Sequence, residues 1–146
     1  MKLQLMLLLV GFCAAGCVTT DRTKSVAIRA FTEILGKGRY ELVPDLYAPD
    51  FRNHGLTSDE TLAADMSALR ALRDAAPADM QVRPQQLISE GEFVSVLWVA
   101  EGTFGTGRRA FRGITIWRIV DGRIHDEWSE FDEAGLKMAL GLQAAH

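Results

Sequence analysis

The segment from Phe93 to Phe131 constrains the fold more than any other part of this chain. Phe93–Phe104 and Ala110–Val120 are rich in β-branched and aromatic residues and have the length of β-strands. Asp121-Gly122 separates the second run from a third, Arg123–Phe131, and this dipeptide is a strong signal for a two-residue hairpin. The segment therefore predicts three consecutive antiparallel strands.

A fourth strand is predicted directly upstream, over Met80–Glu90. Pro84 lies inside this run, and because proline has no backbone N–H to donate, it indicates an edge position or a bulge. With the three strands that follow, this run predicts an antiparallel meander of about four strands.

The first half of the mature chain has helical periodicity instead. Apolar residues recur at helical spacing from Thr23 to Leu35, and a second helical stretch covers Tyr40–Tyr47. A short extended piece and turn follow at Phe51–Gly55. Thr57 and Glu60 have the spacing of a capping box, so we expect a helix from Ser58 to Ala75.

Helices followed by a meander, with a short closing helix over Asp132–Leu142, define an α+β fold. We expect a curved antiparallel sheet of about four strands wrapped on the N-terminal helices, which makes a cone-shaped barrel with an apolar pocket. The chain has 146 residues, 48% of them hydrophobic, which suits one domain with a real core.

Charge and motifs exclude several functional classes. Sixteen basic and nineteen acidic residues give a net charge of −3, whereas nucleic-acid binders usually carry a basic excess. The three histidines are scattered without ligand spacing, and no phosphate-binding glycine loop is present. We therefore expect no metal, no cofactor and no nucleic-acid partner.

Both faces of the strand Phe93–Phe104 are apolar. Val94, Val96 and Trp98 alternate on one face, and Phe93 and Leu97 on the other. One face can cover the helices, and the second is most simply covered by another subunit, or otherwise by the same chain. We expect a homodimer through the sheet face.

The first sixteen residues have the pattern of an export signal. Lys2 precedes an apolar run, and small residues end it. Ala14-Ala15-Gly16-Cys17 resembles a bacterial lipobox, which implies cleavage before Cys17 and acylation of that cysteine. Residues 1–16 are thus interpreted as a lipoprotein signal peptide, 17–24 as lipidated cysteine and tether, and 25–146 as the functional domain.

The resemblance to a lipobox also implies a cellular location. Acyl chains on Cys17 would hold the protein on a membrane of the cell envelope. Val18 follows the cysteine, and the absence of aspartate there favours the periplasmic face of the outer membrane. The alternative is an ordinary secretory peptide cleaved nearby, with Cys17 as a free thiol.

Four short motifs follow one another between Thr23 and Leu142. They are Asn53-His54-Gly55, the loop from Gly102 to Gly105, Asp121-Gly122-Arg123-Ile124, and Asp126-Glu127-Trp128. In this order they resemble the SnoaL-like polyketide cyclase (ester cyclase) family of the nuclear transport factor 2-like superfamily. The resemblance implies a cone-shaped α+β barrel. It also implies a cofactor-free aldol-type ring closure in which one carboxylate acts as general acid and base.

The resemblance places that carboxylate on the strand after the Asp-Gly turn, at the position that Ser129 occupies here. The family's threonine-histidine pair near the glycine loop is Thr103-Phe104 in this chain. A neighbouring carboxylate would have to replace the missing one. Glu127, Glu130 and Asp132 are the candidates, if a bulge or register shift turns one of them inward.

We predict Glu130 and Asp132 as catalytic carboxylates, with His54 at the mouth of the cone as an assisting acid, base or hydrogen-bond donor. Each has a structural alternative: Asp132 as a helix cap, His54 as a group that holds a turn, and Glu130 as part of a solvated rim. The predicted ligand pocket consists of Asn53, Trp98, Phe104, Trp117, Trp128 and Ser129.

The sequence leaves three functions open. The first is a cyclase, isomerase or hydratase without cofactor that uses carboxylate chemistry on a small apolar carbonyl compound. The second is a lipid-anchored carrier or sensor of small apolar ligands that performs no chemistry. The third is an interaction protein whose pocket has no ligand.

Overall fold

The structure of the chain, a computed structural model, describes residues 15–142, with side chains from Arg22 onward. The predicted signal segment lies largely outside these residues, as does the side chain of Cys17. Within the described part, no helix is both long and apolar enough to cross a membrane.

Helix α1 spans Ala15–Arg29 and runs on as a π-helical segment over Ala30–Gly36, which confirms the predicted N-terminal helix. The predicted tether, residues 17–24, forms the first part of this helix. A 3-10 turn over Tyr40–Leu42 and helix α2, Val43–Leu46, match the second predicted helical stretch. Pro44 lies in the first turn of α2, where its missing N–H costs nothing.

Within residues 15–142, six strands form one sheet, whereas the sequence predicted about four. The strands are β1 Tyr47–His54, β2 Asp59–Thr61, β3 Gln81–Glu90, β4 Phe93–Phe104, β5 Gly107–Val120 and β6 Arg123–Phe131. Their order is β2-β1-β6-β5-β4-β3, and β1 runs parallel to β6 while the other pairs are antiparallel. The two additional strands depend on this long-range β1–β6 pairing, which no local pattern reveals.

The predicted capping box at Thr57 is wrong. Asp59–Thr61 pairs with β1 as a short strand, and helix α3 begins only at Leu62 and ends at Ala75. Thr61 is the capping residue instead, and its side chain accepts a hydrogen bond from the Ala64 N–H at 3.4 Å. Pairing with a neighbouring strand therefore overrode a helix signal of only a few residues.

Pro84 is confirmed as both an edge residue and a bulge. Strand β3 lies at the end of the sheet, and its pairing with β4 shifts register between Pro84 and Gln86. The closing helix α4 spans Glu133–Ala139, within the predicted range.

The core lies between helix α1 and the inner face of the sheet, which is the face turned toward the helices. Phe31 is fully buried at its centre, with ring centroids 5.0 Å from Trp117 and 6.5 Å from Trp98. A smaller cluster joins Phe104 and Phe111 to Leu136 of α4. Helix α1 packs on β3, β4 and β5, whereas α3 packs on β1.

The packing around Trp98 leads to a stability prediction. A Cβ at Gly113 would meet the Trp98 ring and the Phe131 Cβ, whereas a Cβ at Gly107 on the same strand would meet nothing within 4 Å. Gly113→Ala should lower the free energy of unfolding by roughly 1–3 kcal/mol, because neighbouring rings have to move. Urea unfolding followed by tryptophan fluorescence measures this loss.

Gly107→Ala is the matched control and should change the unfolding free energy by less than about 0.5 kcal/mol. Equal losses in both variants would contradict the packing described for Gly113.

Candidate active site

A bulge in β6 decides which of its side chains face inward. Ile119 pairs with Ile124, but the next pair is Arg118 with Asp126, so His125 is an extra residue in β6. Ile124 and Glu127 therefore both face the core, although simple alternation would have placed Asp126 there. Beyond the bulge, the inward residues are Glu127, Ser129 and Phe131.

These three inward side chains keep an intermediate exposure, as does Asn53 on β1. The helix layer thus covers this part of the inner face only partly. We call the region bounded by Asn53, Glu127, Ser129 and Phe131 the inner cleft.

Glu127 lies at the centre of a hydrogen-bonded chain. Its Oε2 accepts from the Trp117 indole N–H at 2.7 Å, and its Oε1 accepts from the Ser129 hydroxyl at 2.7 Å. The Ser129 Oγ lies 2.8 Å from the Thr115 Oγ1, which accepts from the Trp98 indole N–H at 3.0 Å. The network holds the carboxylate of Glu127 in one orientation.

A second carboxylate approaches from helix α3. Asp65 is 6% exposed, and its Oδ1 accepts from the Asn53 amide at 2.9 Å. Its Oδ2 is buried without a hydrogen-bond partner in the described residues. Asn53 and Glu127 are register partners on neighbouring strands, so Asn53 connects Asp65 to the inner cleft.

Burial, together with the nearby charge of Asp65, raises the pKa of Glu127 to about 7 against the two hydrogen bonds that lower it. Although the residue is not fully covered, protein atoms surround its carboxylate. Burial also raises the pKa of Asp65, partly offset by the hydrogen bond from Asn53. Two carboxyl groups in such surroundings titrate as a pair.

Tyr47 lies in the same interior and is buried. Burial, together with the charges of Glu127 and Asp65, raises the pKa of its phenol well above the ordinary value. Tyr47 therefore stays neutral throughout the physiological range.

Three predicted residues lie on the opposite, outer face of the sheet. His54 bonds Asp126 through Nε2 at 2.8 Å and Asp59 through Nδ1 at 3.0 Å, and its ring stacks on Trp128 at 4.7 Å. Glu130 is exposed on the same face. The bulge at His125 explains why Trp128 and Glu130 point away from the inner cleft.

His54 is paired with carboxylates on this outer face. The hydrogen bond to Asp126 raises the pKa of His54, although burial opposes this shift. Burial alone would raise the pKa of Asp126, but the hydrogen bonds from His54 and Arg118 outweigh it and lower the pKa. This pair corresponds to the structural alternative for His54.

Asp132 caps helix α4, as its structural alternative stated. Its Oδ1 accepts from the Gly135 N–H at 2.9 Å, and the side chain is exposed. Of the predicted pocket residues, Asn53 and Ser129 border the inner cleft. Trp98, Trp117 and Phe104 face inward but are buried in the core, and only Trp128 lies outside.

Sequence reasoning named Glu127 only as a conditional substitute and did not identify Asp65, Thr115 or Phe131 as site residues. A sequence signal existed for Glu127, because it shares a strand face with Ser129. Asp65 lies on a face of helix α3 whose other residues are apolar and predict only core packing. Its contact with Asn53 in the structure is what identifies it as a site residue.

The described residues contain no group of three histidine, cysteine or acidic side chains that could hold a metal ion. An open groove of about 600 Å³ runs beside α2 and the start of α3, but its lining includes neither Glu127 nor Asp65. We place the candidate chemistry in the inner cleft, because the carboxylates with raised pKa values meet there.

The fold and the cleft define a small α+β protein with an interior carboxylate pair. A model of the SnoaL-like polyketide cyclase family matches residues 25–140, and the chain belongs to this family. No curated protein sequence matches it.

Solved structures share the fold. IdmH from Streptomyces antibioticus, provisionally described as a polyketide cyclase, is 20% identical with a TM-score of 0.71, covering 82% of this chain and 98% of that chain. A protein from Bacillus cereus, provisionally described as a polyketide cyclase, is 24% identical with a TM-score of 0.71. The match covers 84% of this chain and 83% of that chain. A protein from Kribbella flavida, provisionally described as a ketosteroid isomerase, is 20% identical with a TM-score of 0.64. The match covers 82% of this chain and 83% of that chain. At these identities the likeness establishes the shared α+β fold, not the activity.

The raised pKa of Glu127 leads to a pH-dependent prediction. In the unfolded chain the pKa returns to about 4.5, so the native state binds more protons between pH 4.5 and 7. Stability contributed by this group is therefore present at low pH and lost as the pH rises through 7. Glu127→Gln should reduce the fall in unfolding free energy between pH 5 and 8 by roughly 1–3 kcal/mol.

Urea unfolding at pH 5 and at pH 8 measures this fall in the free energy of unfolding. Glu130→Gln, three residues along the same strand but exposed, should leave it as in the unsubstituted protein. An identical pH dependence in Glu127→Gln and the unsubstituted protein would show that Glu127 titrates normally.

Proposed function

We propose that this chain is an acid/base enzyme without cofactor, a cyclase or isomerase, that acts on a small apolar carbonyl compound. The observation that supports this most is Glu127, a carboxyl group in the inner cleft with a pKa of about 7. Such a group is half deprotonated at neutral pH, so it can both remove and return a proton. Membership of a family described as polyketide cyclases supports ring closure as the class of reaction.

In the proposed reaction, deprotonated Glu127 removes a proton from a carbon next to a carbonyl group. The electrons of the C–H bond move to the carbonyl oxygen and form an enolate. In a cyclase, the enolate carbon then bonds to a second carbonyl carbon of the same molecule, and protonated Glu127 returns its proton to the new alkoxide. In an isomerase, the proton returns to another carbon of the substrate.

Asp65 is the proposed partner for the enolate oxygen. Its buried Oδ2 has no hydrogen-bond partner among the described residues, and burial raises the pKa of this carboxyl group. In the proposal the two carboxyl groups share one proton, which lies on Asp65 when Glu127 acts as the base. A protonated carboxyl group donates a hydrogen bond to developing negative charge, and this stabilises the transition state. Asn53 holds the other oxygen of Asp65 in place.

Ser129 stands where the resemblance expects the family's carboxylate. Its hydroxyl donates to Glu127, so the serine orients the base rather than replacing it. In this proposal the catalytic carboxylate has moved two residues along the same face of β6.

A carrier or sensor without chemistry is the second candidate function, and it is favoured by Ser129 at that same position. The two functions share the inner cleft and differ in whether the bound compound is altered.

Ligand capture separates them. The full-length chain, incubated with a lipid and metabolite extract of its host, should retain a compound in native mass spectra, and chromatography should show that it comes back altered. Glu127→Gln should lower the rate of conversion at least about 100-fold, because the base is lost, while the compound still binds.

Glu130→Gln is the matched control and should keep the rate within about twofold, since Glu130 faces away from the cleft. A compound returned unchanged would support the carrier instead. Equal conversion by Glu127→Gln and the unsubstituted protein would contradict the role of Glu127.

We also propose that the protein is anchored in the cell envelope through acylated Cys17, on the periplasmic face of the outer membrane. The support is the sequence Ala14-Ala15-Gly16-Cys17, whose small residues precede the cysteine as in a lipobox. Acylation would place the inner cleft close to a membrane, where apolar compounds concentrate.

Cells grown with labelled palmitate should yield labelled protein in the membrane fraction, because several acyl chains hold a protein there stably. Cys17→Ser should remove the label, and Cys13→Ser should leave it. Unlabelled protein, or label that persists in Cys17→Ser, would contradict lipidation.

A further inference from the structure

Thr115 places a hydroxyl group among apolar side chains on the inner face of the sheet. It is 4% exposed, and the other inward side chains of β5, which are Phe111, Trp117 and Ile119, are buried and apolar. A valine would fill nearly the same space without a polar atom. Because burying a hydroxyl group costs free energy unless it is hydrogen-bonded, Thr115 is suited to this position only through its hydrogen bonds.

The two neighbouring strands bring a donor and an acceptor to this hydroxyl group. Trp98 on β4 pairs with Gly113, and because glycine has no side chain, the indole ring can lie across β5 at that point. The Trp98 N–H then reaches the Thr115 Oγ1 at 3.0 Å. Ser129 is the register partner of Thr115 on β6, and the two hydroxyl oxygens are 2.8 Å apart. Thr115 thus connects the indole to Ser129.

The chemistry of the two ends fixes the direction of every hydrogen bond in this chain. An indole N–H only donates, and an ionised carboxylate only accepts. Ser129 gives its single hydroxyl hydrogen to Glu127, so Thr115 must be the donor in the contact between the two hydroxyl groups. The Thr115 oxygen in turn accepts from Trp98. All three donors therefore point the same way, toward the carboxylate of Glu127.

Given the proposed role of Glu127 as the base, on which this inference rests, we propose that Thr115 is a positioning residue that commits the Ser129 hydroxyl group to Glu127. Without the hydrogen bond from Thr115, the Ser129 hydroxyl group can turn into the cleft or accept a hydrogen bond from protonated Glu127. Hydrogen bonds in a chain also strengthen one another. Thr115 thereby stabilises the ionised form of Glu127, which is the form that accepts a proton.

Burial and a neighbouring charge act against this stabilisation. Burial and the charge of Asp65 on α3 raise the pKa of Glu127, whereas the hydrogen bonds from Trp117 and Ser129 lower it. Tyr47 on β1 is the second titratable group that interacts with Glu127, and it stays neutral because its own pKa is raised well above the ordinary value. Two hydrogen bonds thus oppose burial at Glu127, and Thr115 governs one of them.

Carbon-detected NMR of the full-length chain in detergent, labelled at the glutamate Cδ, measures the pKa of Glu127, and Glu127→Gln identifies its signal. Thr115→Val should raise this pKa by at least about 0.3, since hydrogen bonds in a chain strengthen one another by roughly 10–30%. Thr115→Cys, whose thiol is a weak donor, should raise it as well, and it replaces the valine variant if that variant fails to fold. Thr115→Ser keeps the hydroxyl group and should leave the pKa unchanged.

A second background separates positioning from packing. Ser129→Ala removes the hydroxyl group through which Thr115 acts, so adding Thr115→Val to it should cause no further rise in the pKa of Glu127. Where a captured compound is converted, Thr115→Val should lower the rate about twofold at pH 6 and hardly at pH 8, because a pKa near 7 sets the ionised fraction. A packing defect would lower the rate equally at both pH values and would contradict the positioning role.

An unchanged or lowered pKa in Thr115→Val, or an equal rise in the Ser129→Ala background, would overturn the role of Thr115. The titration needs no substrate, so it tests this role even where no compound is converted. Conversion that depends on Glu127, together with an unchanged titration in Thr115→Val, would leave the proposed function intact and overturn only the positioning role.

Discussion

The extra residue in strand β6 is the feature on which the site and the outer face both depend. Side chains of a strand alternate between the two faces of a sheet, so a single added residue exchanges every later side chain between them. With His125 bulged, Glu127 and Ser129 turn inward, while Trp128 and Glu130 turn to the outer face. The same bulge therefore supplies an interior carboxylate and places the Trp128 ring on the outer face.

Desolvation gives the inward carboxylate its chemical character. A carboxyl group that leaves water without a cationic partner binds its proton more tightly, and the neighbouring Asp65 strengthens this effect at Glu127. Asp126, its neighbour in sequence, shows the opposite behaviour. Arg118 and His54 donate hydrogen bonds to it on the outer face, and its pKa is lowered. Two adjacent carboxyl groups on one strand thus differ in pKa because they face different surroundings.

Local patterns predicted the regular elements well. The bounds of β4 and β6 coincide with their predicted ranges, because valine-rich runs and the Asp121-Gly122 turn act over short distances. Strand β2 was not predicted, and β1 was predicted only in part, as the short extended piece at Phe51–Gly55. Strand β1 is held by parallel pairing with a strand far along the chain, which no local pattern reveals. The spacing of Thr57 to Glu60 matches a capping box, but the β1–β2 pairing moves the helix cap to Thr61.

The sequence by itself determined the α+β class, the order of the helices and the meander, and a family whose motifs lie near the glycine loop and the last strand. It also supplied the set of acidic residues from which a catalytic group could come. The tertiary structure decided which of them faces inward, because a bulge is defined only by the partner strand. It also brought Asp65 to Asn53 and Glu127, since residues distant in sequence meet only when helix α3 packs on β1.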